Sequence, residues 1–128
     1  MTKATGKIQV KNGIRIVMDV DFCRYYLWLW HQHIYKTKKY QLPAHGSHIT
    51  VYSPKIHDKM ILTEFKDLDG QEVEFWYDPT KAYVSRVNVW LPVFCDWADK
   101  FRKKNRIPIS YFAGSSLHIT IGNIKYNS

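Results

Sequence analysis

The chain has 128 residues, 45% apolar and 16% aromatic, enough for one domain with a real core. Nineteen Lys and Arg against eleven Asp and Glu give a net charge of +8. That balance favours polyanionic partners such as nucleotides, nucleic acid or an anionic membrane, with a merely solvated basic surface as the plain alternative. No apolar run approaches the roughly 20 residues of a membrane span. The first six residues lead into a strand-like run rather than a signal peptide. Cys23 and Cys95 stand alone among apolar neighbours, with neither disulfide framework nor zinc spacing. These features predict a cytoplasmic chain with reduced thiols.

In chain order, Lys7–Val10 alternates, Lys11-Asn12-Gly13 signals a hairpin, and Ile14–Val20 returns as a second strand. Asp21 is the expected N-cap of a helix from about Phe22 to Lys38, with Phe22, Tyr26, Leu29, Trp30 and His33 on its apolar face. His31 and His33 diverge on such a helix and make a poor metal pair. A Pro- and Gly-broken loop over 41–46 delivers the chain into a strand from Ser47 to Tyr52. Met60–Phe65 reads as a short strand, 67–70 as a turn and Gln71–Tyr77 as a strand. After the turn at Asp78-Pro79-Thr80, Ala82–Trp90 alternates. Pro92 suits the first turn of a second helix, about Leu91 to Asn105, with Phe94, Trp97, Ala98 and Phe101 as its stripe. A polar loop over 110–116 leads to a last strand, Leu117–Ile124.

Two of these strands carry nearly the same motif, Ser47-His48-Ile49-Thr50-Val51 and Leu117-His118-Ile119-Thr120-Ile121. Residues i and i+2 of a strand share a face, roughly 6.6 Å apart. His48 therefore sits with Thr50, and His118 with Thr120, while Ile49, Val51, Ile119 and Ile121 lie behind them. If the strands meet side by side or about a pseudo-twofold axis, two imidazoles and two hydroxyls converge. That set suits phosphate chemistry without a metal. The order of elements, strands, helix and motif strand given twice, reads as a rough internal duplication with the site between its halves. The plain alternative is two ordinary strand histidines.

The paired His-x-Thr-x tetrads resemble the signature of the two-histidine phosphoesterase superfamily at every position. Further likeness lies in Pro43-Ala44, in Gly70-Gln71-Glu72-Val73-Glu74-Phe75 with Tyr77, in Val89-Trp90-Leu91 with Val93-Phe94-Cys95, and in the continuation Gly122-Asn123. Within the superfamily these segments, spanning about residues 42 to 125, are similar to the phage anti-CBASS phosphodiesterases. Two features differ. His45-Gly46-Ser47 lengthens the approach to the first motif, and the eight residues after Thr120 are fewer than some members carry.

The resemblance implies an α+β chain forming one domain over 1–128. Its fold would be two-lobed and pseudo-twofold, with mainly antiparallel sheets flanked by helices around a central cleft. It implies a hydrolase that cleaves cyclic di- or trinucleotide immune signals in the host-cell cytoplasm, with no cofactor, no metal and no long nucleic acid or membrane as partner. His48, Thr50, His118 and Thr120 would be catalytic, with His48 assigned as base and His118 as acid. His suits both roles because its pKa of about 6.5 leaves both forms accessible near neutrality. The threonines would donate to the phosphate oxygens. Tyr52, two residues beyond Thr50, and Trp76, in the segment like the family's Phe-x-Tyr run, would stack on bases; Phe65 and Tyr25 are lesser candidates, and His45 is a candidate at the mouth of the site. RNA ends or 2′-5′ oligonucleotides are alternative substrates. A nucleotide sponge without turnover is the alternative outside enzymes.

Overall fold

The computed structural model describes residues 1–33, 40–43, 46–55, 57, 59–84, 88–109 and 116–124, with the side chains of 20, 31–33, 40 and 124 excepted. Strand β1 (Thr2–Val10) turns at Asn12 and Gly13, both at positive φ (54° and 151°), into β2 (Ile14–Val17). Helix α1 runs from Val20 to His33. It starts earlier than the sequence implies, because Asp19 rather than Asp21 caps it: the Asp21 N–H donates to Asp19 Oδ1 at 2.9 Å. The expected extension of α1 through 34–38 lies outside the described residues.

The short β3 (Tyr40–Gln41) precedes β4 (His48–Tyr52). Where a strand was expected at Met60–Phe65, the chain forms a 3-10 helix, Leu62–Leu68. Strands β5 (Glu72–Tyr77), β6 (Tyr83–Val84) and β7 (Asn88–Phe94) follow, then α2 (Asp96–Lys104) and β8 (Leu117–Ile124). Pro92 does not open α2; it lies inside β7. It falls in the gap between the β6 pairing, which ends at Trp90, and the β5 pairing, which begins at Val93, so on that edge no ladder bond needs its missing N–H.

The strands are antiparallel and run β3-β8-β4-β2-β1-β5-β7-β6, and β8 also pairs with β7. That pairing closes β8-β4-β2-β1-β5-β7 into a six-stranded barrel. The fold is therefore α+β, with three helices among the described residues and six of its antiparallel strands closed into a barrel. Alternate residues of every long strand face one core: Ile8, Ile14, Ile16, Ile49, Val51, Phe75, Leu91, Val93, Ile119 and Ile121 are all at or near zero exposure. Helix α1 adds Cys23 and Tyr26 to this core, and α2 adds Ala98 and Phe101. Phe22 packs edge-on to Tyr77 at 5.2 Å between centroids, which seats α1 on β5. The core face is thus covered by helices, and the opposite face of β4 and β8 is left to carry polar side chains.

Candidate functional site

Strands β4 and β8 are neighbours, with Ile49 opposite Ile119. In an antiparallel ladder the flanking residues then face one another, His48 with Thr120 and Thr50 with His118. Ile49 and Ile119 are fully buried, so both His-Thr pairs stand on the opposite face. The histidines are diagonal neighbours, roughly 7–8 Å apart along the sheet with their Cβ atoms somewhat closer. That spacing leaves room for one phosphate between the imidazoles. The motif strands thus pair directly, side by side.

Each motif strand carries a one-residue irregularity at the same place. On β4, Arg15 pairs with Thr50 but Ile14 pairs with Tyr52, so Val51 is the extra residue. On β8, Trp90 pairs with Thr120 but Val89 pairs with Gly122, so Ile121 is the extra residue. A bulge displaces backbone groups from the ladder and re-aims the side chains around it. The displaced carbonyls are met from the core side by the two helices. Arg102 of α2 donates to Thr50 O (3.0 Å), Val51 O (2.9 Å) and Ser116 O (3.0 Å). Cys23 of α1 donates through Sγ to Thr120 O at 3.4 Å, and its N–H donates to Ser47 Oγ at 3.3 Å. Each helix thus ties one motif strand to the approach of the other. This is a structural repeat that sequence order only hinted at.

The bulge corrects the reading of Tyr52. Period two places it beside Thr50 on the polar face, but the extra residue moves it opposite Ile14, in the core. Tyr52 is 2% exposed, its hydroxyl accepts the Met60 N–H at 2.8 Å, and its ring stacks on His57 at 5.8 Å. It holds the 53–60 loop and offers no face to a base. Trp76 is half-buried on β5, on the side away from the core. It pairs with Phe94 of β7, so it lies two strands from His118 on the same face. Phe65 packs edge-on to Phe101 at the 3-10 helix, and Tyr25 is exposed on α1, so neither joins the motif face. His45 lies outside the described residues.

Three residues join the site that sequence reasoning missed. Arg15 is the cross-strand partner of Thr50, which puts a guanidinium on the polar face. Its alternation with Ile14 and Ile16 marked its face, but its neighbour follows only from register. Trp90, partner of Thr120, sets its ring edge against His118 at 5.5 Å and 62°. The sequence reading ends a strand at Trp90, but its pairing with Thr120 follows only from register. Arg102, 6% exposed, is a buried cation directly behind Thr50. Nothing in its helical spacing separates it from the solvated Lys103 and Lys104.

His48 Nδ1 lies 3.0 Å from Gly46 O, which fixes the ring when Nδ1 carries the proton and presents Nε2 as the basic nitrogen. His118 has its pKa lowered from 6.5, first by desolvation, then by the charges of His48 and Arg102. Its edge nevertheless remains open to solvent. The charge of His48 is felt at His118 because the two residues lie near each other. The lowered value favours the neutral form of His118. Among the described residues, no group of three or more His, Cys, Asp or Glu is arranged to hold a metal ion. Cys23 and Cys95 are buried and separate, with thiols pushed up by burial.

No family model, curated protein or solved structure matches this chain.

Proposed function

We propose that the chain is a metal-independent phosphodiesterase acting on ribonucleotides, and that its substrates are cyclic di- or trinucleotide second messengers. The observation that carries this reading is the pairing of Ile49 with Ile119, which sets two His-Thr pairs around a single phosphate-sized gap. Arg15 beside Thr50, with Arg102 behind it, supplies positive charge for the diester. The net charge of +8 adds a long-range attraction for anions.

In this reading one imidazole takes the ribose 2′-OH proton as the 2′ oxygen forms its bond to phosphorus. The P–O5′ bond breaks, and the other imidazolium gives its proton to the departing 5′ oxygen. The product is a 2′,3′-cyclic phosphate, which water opens with the roles reversed. His118, which its lowered pKa leaves unprotonated and free to accept a proton, is assigned as the base, and His48 by elimination as the acid, the reverse of the sequence assignment. Thr50 and Thr120 donate to the non-bridging oxygens, where charge grows in the transition state. The likeness of the motifs to phage anti-CBASS phosphodiesterases extends the proposal to immune evasion in the host cytoplasm. No helix among the described residues is long and apolar enough to cross a membrane.

The test is cleavage of labelled cyclic dinucleotide, cyclic trinucleotide and 2′,3′-cyclic-ended RNA by wild type and by His48→Ala and His118→Ala. Acid–base groups contribute roughly 10²–10⁴-fold each, so both variants should lose at least about 100-fold on the cyclic substrates. Normal turnover by either variant contradicts the mechanism. Preference for RNA ends would move the substrate class, and binding without turnover would make the chain a sponge.

A further inference from the structure

A second recess lies on the same face, one strand beyond His118. It is a cavity of about 190 Å³ lined by Met1, Asp78, Lys81, Tyr83, Pro92 and Phe94. Pro92 is the cross-strand partner of His118, so their Cα atoms stand about 5 Å apart. Phe94 follows on the same face of β7, about 7 Å further along. Tyr83 stacks on Trp90 at 5.1 Å and 24°, and Trp90 in turn meets His118 edge-on. A row of rings therefore leads from the histidine to the cavity.

The cavity falls below the roughly 300–1,000 Å³ of pockets for drug-sized ligands, so it takes one ring system and not a whole dinucleotide. Two of its walls are aromatic and partly exposed, Tyr83 at 36% and Phe94 at 37%. A third wall is a carboxylate. Asp78 Oδ1 accepts the Thr80 N–H at 2.9 Å and the Thr80 hydroxyl at 2.6 Å, which fixes the group, and Oδ2 lies 4.0 Å from Lys81 Nζ. Flat rings, one charged acceptor and two cationic groups, Lys81 and the Met1 amino group, beside a phosphate-sized gap describe the requirements of a nucleotide.

We propose that this cavity is a nucleobase subsite. It holds the base of the nucleotide whose phosphate lies between His48 and His118, stacks it on Tyr83 and Phe94, and selects bases that carry an amino group. The proposal rests on the phosphodiesterase reading for the phosphate but not for the base. Guanine, adenine and cytosine each present an N–H₂ donor that Asp78 Oδ2 can accept. Uracil presents an N–H flanked by two carbonyl oxygens, which a carboxylate repels. Base–aromatic stacking supplies affinity whichever base is bound.

Binding and turnover are measured separately. Intrinsic tryptophan fluorescence, reporting from Trp90, is titrated with GMP, AMP, CMP and UMP for wild type, Tyr83→Ala, Phe94→Ala and Asp78→Asn, with thermal melts to confirm that each variant is folded. The three amino-bearing nucleotides should bind wild type about tenfold more tightly than UMP. Tyr83→Ala and Phe94→Ala should each weaken all four at least about fivefold. Asp78→Asn, which keeps the oxygen that Thr80 bonds, should abolish the discrimination. Unchanged affinities in both aromatic variants, or no mononucleotide binding by wild type, would overturn the subsite. Cleavage of a cyclic dinucleotide by wild type with unaltered KM in the variants would remove the subsite and leave the phosphodiesterase reading standing. Mononucleotide binding through Tyr83 without any cleavage would do the opposite.

Discussion

At the scale of residues, the proposed site rests on two histidines whose surroundings differ although their strands repeat. His48 has its Nδ1 next to the Gly46 carbonyl, while His118 is desolvated and faces the charges of His48 and Arg102. A histidine whose folded pKa lies below its unfolded value of 6.5 stays neutral to lower pH in the native state. Over that window the unfolded chain binds more protons, so stability is full above about pH 6.5 and falls as pH drops through the lowered folded value. His57 adds to the same trend: burial and Arg102 lower its pKa, and its Nδ1 accepts the Ser53 N–H at 3.1 Å, which only the unprotonated nitrogen can do. Thermal midpoints should therefore decline between pH 6.5 and 5, and His57→Gln should flatten part of that decline. The acid limb of kcat/KM should lie below pH 6.5 and be unchanged in His57→Gln, because the limb belongs to His118. An acid limb above pH 7 would remove His118 as the base.

At the scale of elements, the fold depends on β4 and β8 being bulged and braced in parallel ways. Arg102 is the main brace, three donors on three carbonyls behind Thr50 and Ser116. An unpaired buried carbonyl costs about 1–3 kcal/mol. Arg102→Ala should lose at least about 3 kcal/mol and lower Tm by roughly 10 °C or more, read by calorimetry. Retention of the wild-type Tm would mean that water replaces the guanidinium. Gly6 is a tight point of the barrel wall: a Cβ there would lie 2.5 Å from Ile16 Cγ2 and 2.9 Å from the Val17 carbonyl oxygen. Neither a stiff β-branched side chain nor backbone can yield cheaply, so Gly6→Ala should cost about 1–3 kcal/mol in a urea melt.

Much of this element scale was legible in the sequence, and the failures share a cause. Period two gave β4 and β8 and the faces of His48, Thr50, His118 and Thr120, because those strands alternate strictly until the fourth motif residue. It failed at Tyr52, because an extra residue in a strand reverses the alternation beyond it and the bulge depends on the partner strand. It failed at 62–68, where Leu62, Phe65 and Leu68 pack on the core at a spacing of three from a 3-10 helix. Pro92 misled because a proline after an alternating run opens helices more often than it fills a gap in a ladder. Arg15 and Trp90 were invisible as site residues because only register brings them beside the threonines.

At the scale of the whole molecule, closing six strands into a barrel does more than bury a core. It makes β4 and β8 adjacent although 64 residues lie between Tyr52 and Leu117, and it sets β2 with Arg15 on one flank and β7 with Trp90 on the other. The backbone repeat is nearly symmetric, but its flanks are not: one side offers a cation and the other a row of rings. In the proposed reading, that asymmetry gives a nucleotide diester a side for its phosphate and a side for its base. The positive net charge predicts that association with such an anion weakens as salt rises, since exposed charges are screened beyond about 10 Å at 0.1 M. KM should therefore increase several-fold between 50 and 300 mM salt while kcat holds nearly constant; a KM indifferent to salt would show that the surface charge has no steering role.

The most direct measurement is product analysis by mass spectrometry after wild-type protein is incubated with a cyclic dinucleotide, with and without chelator. The account predicts a linear product ending in a 2′,3′-cyclic phosphate or its hydrolysed 3′ or 2′ phosphate, formed at the same rate in both conditions. An intact ring after prolonged incubation, or cleavage that chelator abolishes, would contradict it.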